Sequence, residues 1–133
     1  MENIIDAMRR IPDFVGSTGR TANDIAAAGL SLGVSFANDY RQYLSHIGLA
    51  CFAGHELTGL TSMMRLDVVA VTQNQRRQNG RIPQSWYVVE QTNIDGIVIW
   101  QDESGEIYQT VPNCNGAKIA DSLLEYIKQC TMQ

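Results

Sequence analysis

Four carboxylates punctuate residues 94–111, IDGIVIWQDESGEIYQTV: Asp95, Asp102, Glu103 and Glu106. Paired carboxylates can serve as general acid and base where burial drives their pKa values apart. They can also ligate a hard cation through their oxygens. Neither chemistry suits this stretch. Asp95-Gly96 is a turn signal in its own right, and DESG falls between two β-branched and aromatic runs, where a tight hairpin keeps its acids in water. DESGE is too short for a calcium loop and lacks its alternating oxygen ligands. These acids therefore read as an exposed acidic edge.

Two other stretches could do chemistry. CFAGHE brings Cys51, His55 and Glu56 close in sequence, and a thiol beside an imidazole can be nucleophile and base. A metal centre would want three or four ligands, with only His46 left to join, and the spacing fits no zinc pattern. GSTGRT, residues 16–21, has its glycines three apart and Arg20 in place of lysine, so it is not a phosphate-binding loop. Trp86, Tyr87, Trp100 and Tyr108 have acidic or apolar neighbours, whereas a single-strand nucleic-acid surface interleaves aromatics with basic residues. The residues thus predict no catalytic group, no cofactor and no metal ligand. What is left is a binding protein.

The totals narrow the partner. With 133 residues, 44% hydrophobic and 18% charged, the chain fits one globular domain, residues 1–133. No apolar run reaches the roughly 20 residues of a membrane-spanning helix. No basic segment precedes an apolar one at the start, so no signal peptide is expected. Cys51, Cys114 and Cys130 suggest no disulfide framework, which points to a reducing, cytoplasmic setting. The net charge of -4 is uneven: residues 1–92 balance, whereas residues 93–133 hold six acids against Lys118 and Lys128. Such a balance disfavours a nucleic-acid backbone as ligand and suits a basic protein partner.

The elements that would position these residues are partly legible. Ile4, Ile5, Met8 and Ile11 recur at helical spacing. Thr21 with Asp24 resembles a capping box opening a helix that stops at Gly33. Tyr40, Tyr43, Leu44 and Ile47 define the next helix, ended by Gly48. LACFAGHELTGL reads as strand fragments and loop. Asp67 can cap a helix through VVAVTQNQRRQ, although its β-branched residues favour strand by propensity. SWYVVEQ, GIVIWQ and EIYQTV form a meander of strands. A last helix is expected from Asn115 or Gly116, with Ile119, Leu123, Tyr126, Ile127 and Cys130 as its apolar stripe. Helices first, a meander, then a closing helix predict an α+β fold.

In that order the elements resemble the SUKH superfamily. LGVSFANDYRQYLSHIG is similar to its Leu-Gly-x-x-hydrophobic-Pro-x-Asp-Tyr-x-x-hydrophobic-Leu segment, matched by Leu32, Gly33, Phe36, Asp39, Tyr40, Tyr43 and Leu44, with Ala37 where proline is usual. The stretch from Leu66 to Val111 resembles the family's Val-x-x-x-Thr helix, Pro-led strand, Asp-Gly turn and acidic Gly turn, and IADSLLEYI its closing helix. The resemblance runs from about Thr21 to Cys130. It implies a twisted, mainly antiparallel sheet flanked by N-terminal helices and a closing C-terminal helix. For a small bacterial member it implies immunity: non-enzymatic neutralisation of a cognate toxin, often a nuclease or nucleic-acid deaminase. Other members are regulators of cell-wall synthesis and signalling, or scaffolding modules. On the immunity reading a monomer or weak homodimer contacts a basic toxin domain through Asp95, Asp102, Glu103 and Glu106. Trp100 and Tyr108 would anchor that contact if their rings are exposed.

Overall fold

A computed structural model describes residues 3–112 and 114–132. In chain order the elements are α1 (Ile4–Arg9), β1 (Val15–Gly16), α2 (Ala22–Leu32), α3 (Asn38–His46), β2 (Ala50–Phe52) and β3 (His55–Glu56). There follow α4 (Val68–Gln78), β4 (Tyr87–Gln91), β5 (Val98–Gln101), β6 (Ile107–Thr110), β7 (Ala117–Ala120) and α5 (Leu123–Thr131). The strands form two antiparallel sheets, β1-β2-β3 and β4-β5-β6-β7. This is the expected α+β architecture with a closing helix. Among the described residues no helix is long and apolar enough to cross a membrane.

Short polar side chains start every described helix except α3, because each first turn leaves amide N–H groups without partners. The exception, α3, opens at Ala37 without a side-chain cap. Asn3 accepts from the Ile5 amide at 2.7 Å, Thr21 from Asp24 at 3.1 Å and Asp67 from Ala70 at 3.2 Å. Asp67 thus wins the contest between helix and strand over residues 68–78. The closing helix differs from expectation. It opens at Ser122, whose hydroxyl accepts from the Glu125 amide at 3.1 Å, while Glu125 reaches back to the Asp121 amide at 3.3 Å. Residues 117–120 instead add β7 to the meander, pairing Ala117 with Gln109 and Ala120 with Ile107. The apolar stripe over Ile119 and Leu123 therefore spans a strand end and a helix start.

Helices cover the four-stranded sheet so that both faces of β4 and β5 are buried, while β6 and β7 are partly exposed. Tyr87, Val89, Ile99 and Ile107 join Tyr40, Tyr43, Leu44, Leu123 and Ile127 in the main core. Val88, Val98 and Trp100 point the other way, against Val71 of α4 and Ile82. Alternation along β4 breaks at a bulge: Val88 pairs with Trp100, but Glu90 pairs with Ile99. The extra residue turns Glu90 into the main core, where strict period-two spacing would have sent it towards α4. Thr58 joins the two sheets. Its amide donates to Val89 at 2.9 Å, its hydroxyl donates to the Val88 carbonyl at 2.8 Å, and the Tyr43 hydroxyl donates to its carbonyl at 2.8 Å.

Asp39, on α3, ties three elements together. One carboxylate oxygen accepts from Gln101 Nε2 on β5 at 2.9 Å, and the other accepts from the Leu123 amide opening α5 at 2.8 Å. Gly59, the residue after Thr58, marks a close approach of two chain segments. A Cβ there would lie 2.0 Å from the Gly48 carbonyl oxygen, a backbone atom that cannot swing aside. Gly59→Ala is therefore expected to lower the unfolding free energy by about 2 kcal/mol, the usual scale of overpacking. Urea denaturation reads this as a lower midpoint with an unchanged slope.

Candidate functional site

The sheet decides which acids can act together. Asp95 lies in the turn entering β5, with φ of 53°, and Asp102 follows the last residue of β5. Four strand residues, at about 3.4 Å each, put these two turns at opposite ends of the strand. Asp95 is exposed and stands apart. Asp102, Glu103 and Glu106 share the β5–β6 hairpin, and Asp121 joins them from just past the end of β7, where Ala120 pairs with Ile107. Lys118 is the link: its ammonium meets Asp121 at 2.6 Å and also Glu106. Asp121 and Glu106 hold that ammonium well above its usual range.

Within the hairpin the acids do different work. Burial works against the Asp102 charge, but hydrogen bonds from Ser104, Tyr108 and the Glu106 amide outweigh it and hold the carboxyl below its usual range. One oxygen accepts from the Ser104 amide at 3.0 Å, the Ser104 hydroxyl at 2.7 Å and the Glu106 amide at 3.0 Å. This is an Asx-turn, the arrangement that makes Asp favourable at a turn's first position. Gly105, at φ 102°, completes it. Glu103 is exposed and makes one long contact, accepting from the Ser35 amide at 3.3 Å. Asp102 therefore shapes the edge, while Glu103, Glu106 and Asp121 present charge from it.

The aromatic residues divide similarly. Trp100 is only 1% exposed, and its indole N–H donates to Thr110 Oγ1 at 2.8 Å. Its ring packs between sheet and α4 and offers no surface anchor. Tyr108 is half-buried, stacks on Trp86 with centroids 4.0 Å apart, and donates its hydroxyl to Asp102 at 3.0 Å. Trp86, half-buried beside it, is an aromatic that the sequence reading left out of the contact set.

CFAGHE comes apart in three dimensions. Glu56 pairs with Arg65, with contacts of 2.9 and 3.1 Å that lower its pKa, and Cys51 stands opposite Glu56 across β2 and β3. His55 turns to Glu90: its Nδ1 lies 2.9 and 3.1 Å from the two carboxylate oxygens. The Tyr126 hydroxyl donates to the same carboxylate, and Cys130 completes the group one turn further along α5. Burial pushes the Cys130 thiol up to about 11, and raises Tyr126 as well. His55 and Glu90 lie far apart in the sequence, and only the bulge at Val88–Glu90 brings them together.

With this geometry in place, two comparisons are informative. The family model SUKH_5, described as SMI1-KNR4 cell-wall, matches residues 1–132. A crystal structure of a protein from Pseudomonas syringae pv. tomato superposes with a TM-score of 0.71 at 11% identity, covering 96% of each chain. At that identity the likeness is one of fold. No curated protein matches the sequence.

Proposed function

The chain belongs to the SUKH_5 (SMI1-KNR4) family, and on that footing we propose that it is an immunity protein, a non-catalytic binder that neutralises a cognate toxin domain in the cytoplasm. The observation that supports this reading is the carboxylate-rich hairpin end, where Glu106 and Asp121 share the Lys118 ammonium and exposed Glu103 adds a further carboxylate from the same hairpin. Its excess negative charge suits a basic groove such as a nuclease or nucleic-acid deaminase presents to its substrate. Carboxylates seated there take the places of phosphates and exclude the nucleic acid, and their field speeds the encounter. The stacked Trp86–Tyr108 pair adjoins this edge and supplies flat apolar area.

Co-expression tests the proposal. A nuclease or deaminase domain captured by the tagged protein from its host is produced with and without this chain. Growth is expected to be restored only when the chain is present, and unrestored growth would count against immunity. A second reading, a regulatory or scaffolding module, draws on the groove between α2 and α3. That cavity of about 740 Å³ is rimmed by Leu30, which is 85% exposed. Such a module would bind several partners more weakly and rescue nothing.

A further inference from the structure

We propose that His55, Glu90 and Cys130 form a three-ligand site for a divalent transition ion of the zinc class, with its fourth position facing a cavity. The three side chains come from β3, β4 and α5, and one ligand atom of each lies within 4.8 Å of the others. His55 and Cys130 border a cavity of about 270 Å³, lined also by Thr92, Ile97 and Tyr126, with Glu90 buried behind them. Tetrahedral zinc holds nitrogen and oxygen at about 2.0–2.2 Å and sulfur at about 2.3 Å, which puts its ligand atoms roughly 3.2–3.7 Å from one another. The His55–Glu90 separation of 2.9 Å is already close to that range. Closing the set requires Cys130 Sγ, within 4.8 Å of the other two ligand atoms, to move nearer on binding.

Charge points the same way. Glu90 is 3% exposed, and among the described residues the only basic side chain against it is His55. A buried carboxylate needs a positive partner or donated hydrogen bonds, and a bound ion would supply the positive charge beside His55 and Tyr126. The mixed nitrogen, oxygen and sulfur donor set selects a borderline transition ion over calcium or magnesium, which take oxygen alone. The surroundings supply the support that such sites need. The Tyr126 hydroxyl holds one Glu90 oxygen, leaving the other to face the ion. Binding forms three coordinate bonds and breaks the His55–Glu90 hydrogen bond. The imidazole then carries its proton on Nε2, and the thiol proton passes to solvent.

This site is independent of the toxin-binding reading, and a partner-free experiment tests it. The purified, reduced full chain is titrated with Co²⁺ and followed by absorption. The expected result is a one-to-one rise of tetrahedral d–d bands with a thiolate-to-cobalt charge-transfer band, displaced by Zn²⁺. Cys130→Ala should abolish the charge-transfer band, whereas Cys51→Ala with Cys114→Ala should retain it. His55→Asn, at the half-buried rim, removes a ligand without emptying the core and should also abolish tetrahedral binding. Tyr126→Phe should weaken Co²⁺ affinity about 10–100-fold, the usual effect of losing a residue that orients a ligand. Absence of tetrahedral bands in the wild type would overturn the proposal, as would bands that survive both Cys130→Ala and His55→Asn.

Discussion

Asp39→Ala is expected to lower the unfolding free energy by about 3 kcal/mol, because it removes two hydrogen bonds to an ionised carboxylate and leaves their donors without that partner. The donors are Gln101 Nε2, on a side chain with no exposure, and the backbone amide of Leu123 at the start of α5. Gln101 keeps its bond to the Gly105 carbonyl at 3.0 Å, but the Leu123 amide loses its acceptor. Asp39→Asn preserves one carbonyl oxygen and should fall between wild type and Ala. Urea unfolding should show a lower midpoint at an unchanged slope, since the surface exposed on unfolding is nearly the same. A loss below about 0.5 kcal/mol, the range of ordinary surface substitutions, would contradict this role. The same residue lies in the Leu-Gly…Asp-Tyr segment by which the family resemblance was first legible. Its place there has a physical reason: it joins α3, β5 and α5 at one point.

The second large effect concerns the acidic hairpin. Glu103→Lys combined with Glu106→Lys reverses the charge of that edge and leaves Asp102 in place to hold the turn. At low ionic strength, association with a basic toxin domain is expected to slow about 10–100-fold, the scale on which charge steers encounter. Near 1 M salt, where the screening length falls to about 3 Å, most of that difference should vanish. Asp102 itself is a poor choice for such a test, because its replacement would disorganise the hairpin and confuse lost charge with lost shape. Asp95→Lys, at the opposite end of β5, serves as the control and should change association little. Equal association rates for wild type and the double variant would exclude the hairpin as the contact.

Local signals made much of this fold legible. Thr21 and Asp67 mark helix starts, Gly33 and Gly48 mark helix ends with φ of 69° and 81°, and Asp95-Gly96 and DESG mark turns. Each acts within a few residues, so its effect can be read from the chain alone. Residues 117–120 were misleading because Ile119 and Leu123 keep helical spacing across a strand-to-helix junction. The Ser122–Glu125 capping box was the stronger start signal for α5. Trp100 could not be placed by pattern, since a strand covered on both faces has no polar side to set its orientation. The meeting of His55 with Glu90 depends on a bulge and on pairing between distant strands, neither of which leaves a periodic trace. The four turn acids looked like one group in sequence, but strand direction separates Asp95 from the other three.

The central claim, that this chain binds a basic toxin domain through its carboxylate hairpin, is tested most directly by association kinetics of wild type and the Glu103→Lys/Glu106→Lys variant. Both are measured against the toxin domain captured by the wild type, over a range of salt. The predicted result is fast wild-type association that slows steeply as salt rises, and slow variant association that scarcely depends on it. Coincident salt dependences for the two proteins would contradict the claim and move the contact to another face.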